Sequence, residues 1–294
     1  LWWYANINIM SDWGKGVIND IGWGQGANND IGWGSIYDKS NAGETLLSSG
    51  GVFNNAFIIE VKTDNAGTSN DNQFQFMGAE GDYDVVAKQN DIIVQTFSDL
   101  SDAATITFAN GAGTYVLEIT PKATNGFNRI KFNGSGDEDK PKDVKQWGNI
   151  VWSSFERAFR GCENLEVTAN DIPNLSNVTS TRLMFFQCFL FNKNISAWNV
   201  SNIIDMNSML RNTAFNQNIG GWNVSNVTNM TKILRDSNLS VENLTACYEN
   251  WSQLSLQQNV SFGAGNTKYN ASGQAGRDIL VNTYNWTIED GGQV

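Results

Sequence analysis

Between residues 195 and 230 the apolar positions recur on a fixed schedule. Ile195, Trp198, Val200, Ile203, Met206 and Met209 fall at intervals of 3, 2, 3, 3 and 3, and Ile219, Trp222, Val224, Val227 and Met230 repeat the scheme 24 residues later. The two-residue step from Trp198 to Val200 predicts a short strand, and the threes after it predict a helical turn. A more divergent unit upstream sets Leu175-Ser176-Asn177-Val178 in register with Val200-Ser201-Asn202-Ile203. Units this short cannot bury an apolar face alone, so three or more must stack. Trp198 and Trp222 share the inward phase with Val200 and Val224, which predicts core positions.

Upstream the pattern changes twice. Phe57-Ile58-Ile59-Glu60-Val61, Phe74-Gln75-Phe76, Tyr83-Asp84-Val85-Val86, Ile92-Ile93-Val94, Thr105-Ile106-Thr107-Phe108 and Thr114 to Ile119 are short β-type runs separated by Gly, Asn and Asp turns. Their number and spacing predict a small antiparallel sandwich. Before them, Trp13-Gly14, Trp23-Gly24 and Trp33-Gly34 open successive ten-residue repeats. An even period puts each Trp on one side of an extended chain. So Gly-rich a segment needs a second surface to offset its ordering entropy. Trp13, Trp23 and Trp33 are therefore the candidate assembly residues, with a homo-oligomer, a trimer favoured, or other virion proteins as partners and a flexible or docked arm as the alternative.

Several of these motifs resemble known families. Asn223-Val224-Ser225-Asn226-Val227-Thr228-Asn229-Met230, the Phe-Asn-x-x-Ile element, and Cys162 and Cys188 ahead of their units resemble the BspA-like leucine-rich repeats of bacterial surface proteins and some phage proteins. The run from Gln146 to Phe155 with Ala158 to Cys162 looks like the entry to such an array, and Val260 to Asn266 through Asn285 to Ile288 looks like its closing segment. Trp33 to Thr45 resembles short repeats in fibre and other virion proteins of phages of Bacteroidetes-type hosts. Gly113 to Ile119 is similar to the closing strand of PKD-like, immunoglobulin-fold modules, whose Asp-Phe-Gly-Asp-Gly-type element is missing here. The fold class expected is mainly β with short helices: an N-terminal β-repeat arm over 1–51, an Ig/PKD-like β-sandwich over 52–134, a leucine-rich-repeat-type solenoid over 135–240, and its C-terminal cap over 241–294.

Composition narrows the chemistry. Of 294 residues only 17% are charged, and a net charge of −11 opposes a nucleic-acid partner, which needs clustered Lys and Arg. The chain has no histidine, so Ser-His-Asp and Cys-His catalysis and histidine-ligated zinc are excluded. No apolar run is long enough to span a membrane. Leu1-Trp2-Trp3-Tyr4 lacks the basic region and cleavage site of a signal peptide, and a start at Leu1 suggests a missing or processed beginning. Cys162, Cys188 and Cys247 are expected to be small packed side chains rather than metal ligands. Gly134-Ser135-Gly136-Asp137-Glu138-Asp139-Lys140 could offer oxygens to calcium but lacks EF-hand spacing, so a solvated interdomain loop is expected.

Two function classes survive. The first is a non-enzymatic virion structural or attachment protein, a phage fibre or decoration protein, found at the virion surface or extracellularly and binding host-surface glycan or protein. A bacterial surface adhesin is the alternative within that class. Asn199, Ser201, Asn223 and Ser225, which flank the repeat strands, are the candidate ligand-binding residues. The second class is a polysaccharide depolymerase, which needs two convergent carboxylates. Asp205 stands alone, with Asn229 as its counterpart, which disfavours an enzyme. No catalytic residue, metal ligand or cofactor is expected.

Overall fold

The computed structural model describes residues 55–123 and 126–294. The Trp-Gly repeat and Trp13, Trp23 and Trp33 lie outside the described residues.

The alternating runs form strands where expected. β1 (Phe57–Lys62), β3 (Asp82–Gln89) and β6 (Thr114–Pro121) each bury every second residue. Their registers set Ile59 opposite Leu117 and Val85 opposite Ile119, so one sheet face is continuously apolar. β4 (Ile92–Ser101) is the edge strand beside β3, and β2 (Gln73–Gln75) pairs with β5 (Thr105–Thr107) as a separate two-stranded sheet.

β7 (Pro141–Gln146) pairs antiparallel with β1, and β8 (Glu166–Val167) pairs parallel with β7. The large sheet thus runs β4-β3-β6-β1-β7-β8 and carries the N-terminal strands into the repeats. From there the chain advances by parallel rungs. Single bridges join Val151 to Asn174, Ser180 to Asp205, and Asp205 to Asn229. A short parallel sheet of β9 (Asn229–Met230), β10 (Ser261–Gly263) and β11 (Thr287–Glu289) continues them. Among the described residues the α-helices are α1 (Val241–Trp251), capped by the Ser240 side chain on the Asn243 N–H, and α2 (Gln274–Asn282), which a 3-10 turn over Ala271–Gly273 precedes.

The spacing of three after each Val-Ser-Asn is not helical. Met209 N–H closes a turn on Met206 O (3.1 Å), while Ser208 and Leu210 N–H reach out to Thr231 O and Ile233 O on the next rung (2.9 and 3.0 Å). Consecutive turns share bonds with a neighbour instead of winding a helix, and left-handed Ser208 and Asn212 (φ 55° each) stop one from propagating.

The expected class of an Ig/PKD-like sandwich, a leucine-rich-repeat-type solenoid and a cap is therefore corrected. The described chain is mainly β with few short helices, and its sheets are open and of mixed direction, without closing into a solenoid. The reason lies in the join: β7 and β8 extend the sheet that the sandwich reading would have ended. Buried residues from Phe57 to Trp286 form one core. Trp147 sits at the join, against Phe57 (6.1 Å), Phe159 (6.1 Å) and Trp198 (5.6 Å). An aromatic file then runs through the rungs: Phe159 stacks on Phe185 (5° between rings), Phe185 on Phe191 (13°) and Phe191 on Phe215 (10°).

Candidate functional site

The four residues singled out from the repeats build turns. Asn199 Oδ1 accepts from Ser201 N–H (3.2 Å) and Ser201 Oγ (2.8 Å), and Asn223 Oδ1 accepts from Ser225 N–H (3.1 Å). Asn202 and Asn226 then donate from Nδ2 to the carbonyls of Ser176 (2.8 Å) and Ser201 (2.7 Å). These side chains satisfy turn amides and tie rungs together, as Asx turns do. Asn199 and Asn223 are exposed, Ser201 and Ser225 half-buried, and none lines either of the two clefts nearby. Asp205 has the same office: its Oδ1 accepts from Asn207 N–H (2.9 Å), as Asn229 Oδ1 does from Thr231 N–H (3.1 Å).

The clefts open one turn earlier in each unit. A shallow hollow of about 530 Å3 is lined by Asn194, Ser196, Asn216, Gln217, Asn218, Gly221 and Asn243. A ladder of amides holds its wall. Asn192 Oδ1 accepts from Asn216 N–H (2.8 Å) and Gln217 Nε2 (3.0 Å). One rung on, Asn216 Oδ1 accepts from Ser240 N–H (2.8 Å) and Asn243 Nδ2 (2.8 Å). Asn194 and Asn218 are fixed by accepting from Ser196 N–H (3.0 Å) and Gly220 N–H (2.8 Å). Gly220 lets α1 approach, since a Cβ there would lie 2.7 Å from Ala246 O. At Gly221 a Cβ would meet nothing within 4 Å, so that side of the hollow is open.

A second cleft of about 210 Å3 shares Asn194 and Ser196 and continues past Ala197, Lys193, Ile172 and Asp171 to Trp147 and Trp198. Asp171 takes the N–H groups of Trp147 (3.0 Å) and Gly148 (2.8 Å), and Lys193 Nζ reaches Thr168 O (3.4 Å). The larger hollow therefore offers amide groups, one hydroxyl and no ionisable side chain. That chemistry matches hydroxyl-rich, uncharged ligands and supplies neither acid nor base. The signal was present in sequence, in Phe191-Asn192-Lys193-Asn194 and Phe215-Asn216-Gln217-Asn218, but its meaning depends on the ladder between rungs.

The acidic loop is a structural clamp rather than a solvated linker. Asp137 is fully buried and accepts from Thr68 N–H (3.0 Å), Ser69 N–H (2.9 Å), Ser69 Oγ (2.6 Å) and Gln75 N–H (2.9 Å). Beside it, buried Lys140 Nζ donates to the carbonyls of Ser69, Asn70 and Gln73 (3.0 Å each) and to Ser69 Oγ (2.8 Å). Three carbonyls and a hydroxyl thus converge on the ammonium. Gly67 permits it, because a Cβ there would stand 2.6 Å from Asp137 Oδ1 and 2.7 Å from Lys140 Cε. Cys162, Cys188 and Cys247 are free and buried, and burial holds their thiols above the ordinary range. Among the described residues no group of His, Cys, Asp and Glu is arranged to hold a metal.

Residues 153–272 match a family described as "Mycoplasma protein of unknown function, DUF285", a stretch shorter than half of the chain. It runs from the first full turn segment to the residues before α2. No curated protein and no solved structure matches the chain.

Proposed function

We propose that this chain is a non-enzymatic virion attachment protein that holds host-surface glycan in the amide-lined hollow. One observation carries the reading: Asn194, Asn216, Asn218 and Asn243 converge on an open hollow, three of them held there by accepting backbone or amide donors through Oδ1. Oriented amides lose little entropy on binding, which suits a shallow site for a neutral, polyhydroxylated ligand. Virion placement draws on the likeness of the N-terminal Trp-Gly repeat to phage fibre proteins.

The test is binding of the purified protein to host cells, with periodate-treated and protease-treated cells side by side. Periodate should abolish binding and protease should not. The pair Asn194→Ala and Asn218→Ala should weaken it by roughly tenfold or more, the effect of losing one or two hydrogen bonds. Binding lost to protease but not periodate would redirect the reading to a protein receptor. Absence of the protein from purified particles would leave a cell-surface adhesin.

A further inference from the structure

A second strip on the rungs has a different chemistry. Arg160, Phe186, Arg211 and Arg235 occupy equivalent places in four successive rungs. The backbone sets that register: Gly161 N–H donates to Phe186 O (2.9 Å), Gln187 N–H to Arg211 O (3.1 Å) and Asn212 N–H to Arg235 O (3.1 Å). Half-buried Phe186 holds two guanidiniums against its ring, Arg160 from the rung before (5.7 Å) and Arg211 from the rung after (5.3 Å). Such cation–π contact fixes both side chains without using their N–H donors.

Those donors are largely unspent. Among the described residues Arg160 makes no side-chain hydrogen bond or ion pair, and its buried Nε has no partner. Arg211 Nε is also without a hydrogen bond, and its carboxylate neighbour Asp236, at 3.6 Å, is shared with Arg235 at 3.7 Å. Arg235 reaches Glu289 only at 3.5 Å. The contrast is Arg277, bonded to Asp290 at 2.7 Å. In a chain of net charge −11, a file of guanidiniums held apart from full pairing is an unusual local excess of donors.

We infer that this strip binds an acidic glycan, its guanidiniums taking carboxylate or sulfate groups on the polymer. A guanidinium fork donates to two oxygens of one oxyanion, and a planar, aromatic-backed fork is already oriented to do so. Successive rungs stand about 4.8 Å apart, so Arg160 and Arg211 are separated by roughly 10 Å and Arg211 and Arg235 by roughly half that. This spacing suits charges carried once per sugar or two. A nucleic-acid duplex, with a charge every ~1.7 Å, is far denser in charge than a file of three guanidiniums set at rung intervals can match. The strip shares no lining residue with the amide hollow and stands independently of it.

The experiment is calorimetric titration of the full chain at low ionic strength with dextran sulfate, oligogalacturonate, neutral dextran and single-stranded oligothymidylate. The two acidic glycans should bind, and added salt should weaken them. Replacing Arg160→Gln together with Arg211→Gln, which keeps most of each stem, should weaken both by roughly tenfold or more while the circular dichroism of the folded protein is unchanged, even where losing the two contacts on Phe186 lowers the unfolding midpoint. The corresponding lysine pair should recover part of the affinity, since charge returns without the fork. Arg235→Gln, at a more exposed site, gives an independent reading should the first pair fold poorly. The Asn194→Ala and Asn218→Ala pair should leave acidic-glycan binding intact, which separates this strip from the hollow. Failure of the acidic glycans to bind, wild-type affinity in the glutamine variants, or equal binding of oligothymidylate would overturn the inference.

Discussion

Trp198 is buried to 5% exposure and meets Trp147 edge-on, so one side chain ties a repeat to the sheet that precedes it. Trp198→Ala should cost about 3–5 kcal/mol, the scale of large aromatic truncations in cores, as read by urea unfolding. A stable variant with lost glycan binding would instead make the indole a contact group. Tyr83 carries a pH dependence. Burial, with a smaller contribution from the Asp102 charge, pushes its phenol from 10.0 up to about 12, while its hydroxyl donates to Asp102 O (2.9 Å). The raised value means that the folded chain keeps this proton while the unfolded chain releases it. Its stabilisation is fully present below pH 10 and is lost as pH climbs toward 12. Buried Tyr248, Cys162, Cys188 and Cys247 are shifted in the same direction. The thermal midpoint should therefore be flat through neutral pH, begin to fall near pH 9 where the thiols of the unfolded chain start to ionise, and fall further above about pH 10, that further part less steep in Tyr83→Phe. A flat profile to about pH 11 would contradict this.

At the scale of the element, the repeat is held by columns of left-handed residues. Arg157, Leu183, Ser208 and Lys232 (φ 60°, 56°, 55° and 58°) align across four rungs, as do Gly161, Gln187, Asn212 and Asp236 (φ 82°, 65°, 55° and 58°). At each reversal the left-handed residue's own N–H bonds the neighbouring rung while the next N–H closes the local turn, as Leu183 N–H does to Asn207 O and Met184 N–H to Thr181 O, which is why threes in sequence become turns in space. The cost falls on residues with a Cβ, least on Asn. Lys232→Asn should raise stability by ~0.5–1 kcal/mol, judged from the shift in urea midpoint at constant slope. A fall would mean that the lysine stem covers apolar surface worth more than the strain. The apolar members of each unit were legible because they obey burial alone. The left-handed columns were not, because Arg, Leu, Ser and Lys bear no mark of that conformation.

For the whole molecule, the described residues belong to one compact unit. A chain lacking residues 1–51 should therefore keep a single cooperative unfolding transition. If Trp13, Trp23 and Trp33 drive assembly, light scattering should find it monomeric where the full chain is not. An oligomer of unchanged size would place assembly within residues 52–294. What the sequence determined by itself was the period, the buried face of each unit, the strands from Phe57 to Ile119 and the lack of histidine chemistry, since each follows from local spacing or composition. The tertiary structure alone decided that β7 and β8 prolong the first sheet, that Lys140 is buried among loop carbonyls, and that asparagines and arginines 24 to 26 residues apart become neighbouring groups on one surface. The physical reason is that these outcomes depend on which backbone amides find partners across rungs, and that pairing is settled only when the whole stack closes over its core.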